Sequence, residues 1–383
     1  MTALIFEAPC LRMVLMAGAG FTGFFATLSS LPAWIASRGT SAASAGAATT
    51  IMLAATVLVG PTVPALLRRV STTWTVAIGL LALGLPAPLL IWASSGAALY
   101  GICAIRGIGF AIFTVAGTFM ASEVAPQGRQ GEAAGLYGLA AAIPNLAMVP
   151  LAVALLHTGS FWPIAVIAAV PALGATLAFR SGWRRAASPV TPRPVFGDTR
   201  ATIASSVAPA VVLCAITIVG GAVVTILPIE RSGFTATIGL LLFGVASAVA
   251  RWQAGVRVDR HGVVSLLVGA CALVIAGVVA LAAGLTSAVD MVTLLACATI
   301  GAGYGAVQSL TLFSAFARSS VGNRAVASAV WNAAFDSGTA IGAILIGALT
   351  ATSLGLWGAF AVLAALVAAT VPAGIASGKR GPV

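Results

Sequence analysis

One acid stands in the middle of an apolar run of helix length: Asp336, in Trp331-Asn332-Ala333-Ala334-Phe335-Asp336-Ser337-Gly338. If that run spans a bilayer, a carboxylate there costs at least about 2.5–3.5 kcal/mol on insertion scales, so it must face protein or water. Burial without a partner disfavours the charged form of a carboxyl group, which suits a group that takes up and releases a proton. The alternative role is to lock two helices together. Asn332 lies one turn away on the same face. Few acids compete with Asp336, since Glu123 and Glu132 fall at one rim of the apolar runs and Glu230 and Asp290 at the other.

Arg106 is the arginine set well inside an apolar run of the first half. Its guanidinium suits a counter-charge to Asp336 or a clamp for an anionic substrate; packing against backbone carbonyls is the alternative. Arg251 falls about one turn from the end of its run and is expected to snorkel to water. The polar residues at depth are sparse: Thr22, Ser29, Asn145, Thr217, Thr225, Tyr304, Gln308 and Asn332, with Phe21, Phe25, Phe110, Phe113 and Trp331 among them. Thr22, Phe25 and Ser29 share one helical face by spacing, and Tyr304 and Gln308 are four apart. Each alone also fits a role as helix glue. Together, Thr22, Phe25, Asn145, Tyr304, Gln308, Trp331 and Asn332 describe a substrate cavity that is apolar and aromatic with few hydrogen bonds. Such a cavity favours a moderately hydrophobic small molecule over a sugar.

Other chemistry has no support. No phosphate-binding loop, nucleophile elbow or metal cluster occurs. His157 and His261 sit at run ends, and Cys10, Cys103, Cys214, Cys271 and Cys297 show no metal or redox spacing. The expectation is no enzyme, no cofactor and no metal.

The elements that must carry these residues follow from composition. The 383 residues are 60% hydrophobic and only 7% charged, whereas soluble domains carry about 25% charged residues. Lipid must therefore be the solvent of most of the surface. The net charge of +11 does not point to nucleic acid, because the basic residues are spaced between apolar runs as positive-inside residues are. The first run is followed by many others and reads as a retained span, not a signal peptide. Twelve spans are expected at roughly 11–33, 43–67, 74–94, 97–121, 133–156, 161–180, 207–229, 236–257, 263–284, 289–316, 325–351 and 355–376.

In that layout fifteen basic residues, among them Arg68, Arg69, Arg184, Arg185, Arg257, Arg318 and Lys379, fall on one side, and only Arg38 and Arg231 on the other. The first side is thus expected to be cytoplasmic, with both termini there. The Pro- and Arg-rich stretch 181–206 reads as a cytoplasmic linker between an N-terminal six-helix bundle, 1–180, and a C-terminal one, 207–383. The halves repeat in parallel: Gly60 and Gly255 match at 255 − 60 = 195, Arg129 and Arg324 at 324 − 129 = 195, and Gly107-Ile108-Gly109-Phe110 matches Gly301-Ala302-Gly303-Tyr304 at a shift of 194. The fold class expected is an all-α membrane protein of two pseudo-symmetric six-helix bundles.

At this point the chain resembles the major facilitator superfamily, over essentially its whole length. Gly255-Val256-Arg257-Val258-Asp259-Arg260-His261-Gly262 fits the family's Gly-x-x-x-Asp-Arg-x-Gly signature. Arg106-Gly107-Ile108-Gly109 resembles its fourth-span Arg motif, and Glu123 to Arg129 followed by Gly135 resembles its loop into the fifth span. That span, with Pro144 and Pro150, resembles a degraded Gly/Pro-rich motif of the drug–proton antiporters. The first-half loop departs from the signature, with Pro64 where Asp is wanted. The resemblance implies a cytoplasmic gate built from Gly255, Asp259, Arg260 and Gly262 with Arg129 and Arg324, closed in one state and released in the other.

The reading that results is a monomeric, multi-pass transporter of a bacterial-type plasma (inner) membrane. It exports small, fairly hydrophobic compounds in exchange for protons by alternating access, with Asp336 and Arg106 coupling the two. Its partners are substrate, protons and lipid. The rivals are an importer of small organic anions held by Arg106, and a non-transporting receptor or scaffold, whose sign would be large insertions outside the membrane.

Overall fold

The computed structural model describes residues 7–28, 30–38, 42–93, 96–124, 129–156, 159–180, 196–231, 234–320, 323–350 and 352–379. Among them every regular element is a helix. The first run carries α1 (Ala8–Leu28) and α2 (Ser30–Ser37). The second carries α3 (Ala42–Val59) and α4 (Val63–Arg69), joined by a 3-10 turn at Gly60–Thr62, where Pro61 has no N–H to continue the ladder. The third holds α5 (Thr72–Gly84) and a second 3-10 turn at Ala87–Ile91. One long helix serves each later run: α6 (Gly96–Val124), α7 (Gln130–Leu156), α8 (Trp162–Arg180), α9 (Phe196–Glu230), α10 (Phe234–His261), α11 (Val263–Thr286), α12 (Asp290–Ala317), α13 (Arg324–Thr350) and α14 (Gly355–Lys379).

Among the described residues eleven spans are long and apolar enough to cross a bilayer, and the 27-residue α7 supplies the remaining run. Two expected boundaries move. Helix α9 starts at Phe196, so residues 196–206 of the expected linker are helical, and 181–195 lie outside the described residues. Helix α10 runs to His261, so Arg251 lies ten residues from its end (261 − 251), nearly three turns inside it rather than about one.

The chain forms two compact units. One comprises Met1–Val124 and Ala140–Pro192, the other Ala125–Leu139 and Arg193–Val383. This is a six-and-six division except that the first turns of α7 pack with the second unit. Inside the first unit α6 packs on α3, α5 and α1, and α8 packs on α5 and α1. Inside the second, α12 packs on α10, α11 and α9, and α14 on α11 and α9. These are the same five pairings, span for span, so the repeat seen in the sequence is a repeat of packing.

The glycine pairs explain how. A Cβ on Gly107 would strike the backbone of Met52 in α3, and one on Gly109 would stand 2.5 Å from the backbone nitrogen of Leu83 in α5. In the second unit Gly301 abuts Phe243 of α10, and a Cβ on Gly303 would stand 2.5 Å from the carbonyl oxygen of Ala270 in α11. Two glycines two apart let one helix nestle between the two before it at backbone distance, where dispersion and not the hydrophobic effect binds helices in lipid. Aromatic pairs mark both ends of the first unit: Trp74 on α5 meets Phe179 on α8 with centroids 4.8 Å apart, and Trp92 meets Trp162 at 6.0 Å. All four are substantially exposed, as amphipathic rings at membrane interfaces are.

Candidate functional site: a polar cluster in an apolar bundle

In the second unit Asp336 stands near the middle of α13, half-buried. Among the described residues no hydrogen bond or ion pair reaches its carboxylate, and the half-buried Tyr304 of α12 is within electrostatic reach. The same face of α13 presents Asn332, whose amide donates to Ser328 O at 2.9 Å, and the adjoining face presents Phe335. Phe335 stacks on Trp331 at 5.7 Å, and the Trp331 Nε1–H donates to Thr311 Oγ1 at 3.1 Å. The unit therefore brings together Tyr304, Gln308, Trp331, Asn332 and Asp336, all anticipated from spacing.

Arg251 was not anticipated there. It reaches inward from α10 and is only 7% exposed. Its Nη1 donates to Gln308 Oε1 at 2.7 Å, and its Cζ lies 5.8 Å from the centroid of the Trp331 ring, a cation–π distance. The backbone carbonyl of Arg251 accepts from Ser309 Oγ at 2.7 Å, tying α10 to α12. Gly138, in the part of α7 that belongs to this unit, leaves the room: a Cβ there would stand 2.5 Å from Cδ and Cζ of Arg251. The buried Tyr137 acts electrostatically on the same guanidinium. The sequence carried one sign of this, a Gly138 at helical spacing from Gly131 and Gly135, but its partner 113 residues away (251 − 138) was not legible.

The first unit holds Thr22 and Phe25 half-buried on α1 and Asn145 exposed on α7; Ser29 lies outside the described residues. Phe21, Phe24, Phe25, Phe110 and Phe113 form one ring cluster, with Phe24 stacked on Phe110 at 3.6 Å and Phe21 edge-on to Phe113 at 5.2 Å. Arg106 is fully buried beside it. Nη1 donates to Leu83 O at 2.8 Å, and Nη2 donates to Gly23 O at 3.0 Å and Thr27 Oγ1 at 2.8 Å. The guanidinium thus staples α6 to α5 and α1, the carbonyl-packing role that the sequence left open.

The signature loop closes on the start of α7. The Asp259 carboxylate accepts from the backbone N–H groups of Gly131 and Glu132, among the N–H groups a helix cannot satisfy internally, and a negative group there also meets the positive end of the helix dipole. Arg129 pairs with Glu132 at 2.8 Å. Gly131 and Gly255 face each other so closely that a Cβ on Gly131 would stand 2.6 Å from Gly255 O. Gly262 takes φ 75° in the turn before α11, a left-handed backbone that favours glycine. Arg260 is exposed at the end of α10, and Arg324 opens α13, half-buried.

The Major Facilitator Superfamily family model matches residues 13–343. The chain belongs to the major facilitator superfamily. It is thus a multi-pass membrane protein of a transporter family. Among solved structures, the crystal structure of the human organic anion transporter MFSD10 (TETRAN) aligns over 96% of this chain and 99% of that one, with TM-score 0.76 and 14% identity. At that identity the likeness is one of fold. None of the curated protein sequences matches the chain.

Proposed function

We propose that this superfamily member is a proton-coupled exporter of small, fairly hydrophobic compounds that works by alternating access. The observation that carries the reading is Asp336: a carboxyl group in mid-helix, half-buried, with no hydrogen bond or ion pair among the described residues. A partnered acid would be fixed in one charge state. An unpartnered one at this depth gains or loses its proton as its surroundings change. Within the second unit, the stacked rings of Trp331 and Phe335 and the short list of hydrogen-bonding groups fit apolar cargo. A proton entering down the gradient supplies about 2.3 kcal/mol per 100 mV for the charge it carries.

The gate in this reading is the contact of Asp259 with the start of α7. It is a charge-assisted cap that one state makes and the other breaks, on the side where the basic loops place the cytoplasm. Arg106 holds the first unit together instead of meeting substrate. A second reading, transport of organic anions, is favoured by the burial of Arg251 and agrees with the description of the human structure.

The test is flux in liposomes with and without an imposed proton gradient, for wild type and Asp336→Asn. Asn is nearly isosteric with protonated Asp, so the variant folds, gradient-driven export is lost, and substrate-for-substrate exchange survives. The pH dependence of substrate affinity flattens as well. Gradient-driven flux at the wild-type level in the variant removes Asp336 as the coupling group.

A further inference from the structure

The two buried arginines differ in what they lack. A guanidinium has five N–H donors and, being always charged, also wants a counter-anion. Arg106 has three acceptors around it, two carbonyls and a hydroxyl. Arg251 has one, Gln308 Oε1; the Nε of each is buried with no acceptor, so the difference lies in the terminal nitrogens. The groups that act on Arg251 electrostatically are Tyr304 and Tyr137, both phenols, and Asp336 is not among them. Among the described residues the second unit therefore holds a buried cation with one hydrogen bond and no counter-anion.

Snorkelling would relieve this, and Arg257 and Arg260, nearer the end of the same helix, are exposed. Arg251 instead is turned inward and held there. Gln308 fixes Nη1, the Trp331 ring lies beside Cζ, and the bare Cα of Gly138 admits the stem. A protein that aims a guanidinium into its interior and leaves most of its donors open has built half of a bidentate site. Next to that half lies an apolar surface, the Trp331 ring stacked on the half-exposed Phe335.

We propose that Arg251 receives the acidic group of the substrate, so that the cargo is an amphipathic organic anion with its carboxylate or equivalent on Arg251 and its apolar body along Trp331 and Phe335. This rests on the transporter reading above and narrows its substrate class; it does not depend on the direction of transport. Gln308 is a positioning residue, holding the fork in place. The proton site at Asp336 and the anion site at Arg251 are separate, with Tyr304 within electrostatic reach of both.

The experiment uses the full chain purified in detergent and three matched probes: 1-naphthylacetate, 3-phenylpropionate and decanoate, each against its primary amide. Dissociation constants come from the concentration dependence of thermal stabilisation. In wild type at least one acid binds about tenfold or more tighter than its amide, the worth of a hydrogen bond to a charged group. In Arg251→Gln that preference collapses to about twofold or less while the amide binds as before. Arg251→Lys keeps charge without the fork and retains part of the preference; it carries the test should the Gln variant not fold. Arg257→Gln, which alters an exposed charge on the same helix, changes nothing. Asp336→Asn leaves the acid preference intact even as it abolishes gradient-driven flux, so either reading fails without the other. A wild type that no acid stabilises more than its amide overturns the proposal, as does an Arg251→Gln protein that keeps the wild-type preference.

Discussion

Arg106 and Arg251 are both buried, yet the sequence presented one as the deep charge and the other as a rim residue. The difference was in the helix length assigned to α10, whose polar last turn, Arg257 to His261, looks like loop by composition but is helical. The expected end at residue 257 already left Arg251 six residues inside the run (257 − 251), and the extension to His261 adds a further turn. Arg106 was placed correctly in depth, but spacing does not show which carbonyls lie across the bundle. Its three acceptors make a firm stability statement. Truncation in Arg106→Ala removes hydrogen bonds worth about 1.5–3 kcal/mol each to a charged group, and Arg106→Lys restores only part, because a point charge cannot reach Leu83, Gly23 and Thr27 together. Thermal unfolding in detergent should rank wild type above Lys above Ala. If instead Arg106 balanced Asp336, the double variant Arg106→Ala with Asp336→Asn would be more stable than Arg106→Ala alone. We expect the two effects to be additive within about 0.5 kcal/mol.

At the scale of elements, α7 is divided between two tasks. Its first turns present Gly131, Gly135 and Gly138 to α10, and the rest belongs to the first unit. Glycines in this molecule therefore fall into two kinds that a sequence cannot separate. Gly301 and Gly303 seat α12 against α10 and α11 in the core of one unit, while Gly131 and Gly255 seat the contact capped by Asp259. Overpacking a core costs about 1–3 kcal/mol, so Gly301→Val should lower the unfolding temperature and the yield of folded protein. Gly131→Val, at the end of its helix, should cost less stability than Gly301→Val and alter turnover. Equal loss of folded protein in both variants would show that the α7 contact is core packing and not a gate. Asp259→Asn belongs to the same test: it weakens the cap on α7 and should slow transport severalfold with membrane levels intact. An unchanged rate would reduce the signature to a turn.

For the whole molecule, the repeat was the most legible feature and the asymmetry within it the least. The shifts of 194 and 195 residues reappear as matched helix pairings. Applying them to the polar cluster shows where the halves part company. Arg251 corresponds to Thr56 (251 − 195), Tyr304 to Phe110 (304 − 194), Gln308 to Thr114 (308 − 194) and Asp336 to Ala141 (336 − 195). At these four positions charge and side-chain hydrogen bonding belong to the second unit, and the first offers a ring, a methyl group and hydroxyls turned to backbone carbonyls, as Thr56 is to Met52 and Gly107; the first unit's own buried charge, Arg106, stands elsewhere. No propensity scale predicts this, because it is a division of labour between copies of one packing plan. The orientation of that plan is a separate matter, decided by basic residues in the loops. Thiol labelling of single cysteines placed near either terminus and beside Arg184 should find all three on the cytoplasmic side, and any one outside would reverse the assignment of the gate.

The aromatic pairs at the ends of the first unit have one more consequence. Along α8, seventeen residues separate Trp162 from Phe179, a rise of about 26 Å for an α-helix, and the partner rings Trp74 and Trp92 sit eighteen apart on the neighbouring run. Two antiparallel stretches thus carry the same ruler. It is a few ångströms shorter than the average hydrocarbon slab of about 30 Å. Such a ruler sets the bilayer thickness that the first unit matches with least mismatch. Reconstituted across a series of phosphatidylcholines of increasing chain length, its activity should peak in the thinner members and decline as mismatch grows, and moving the Trp162 ring one helical turn inward, to position 166, should shift that optimum toward shorter lipids.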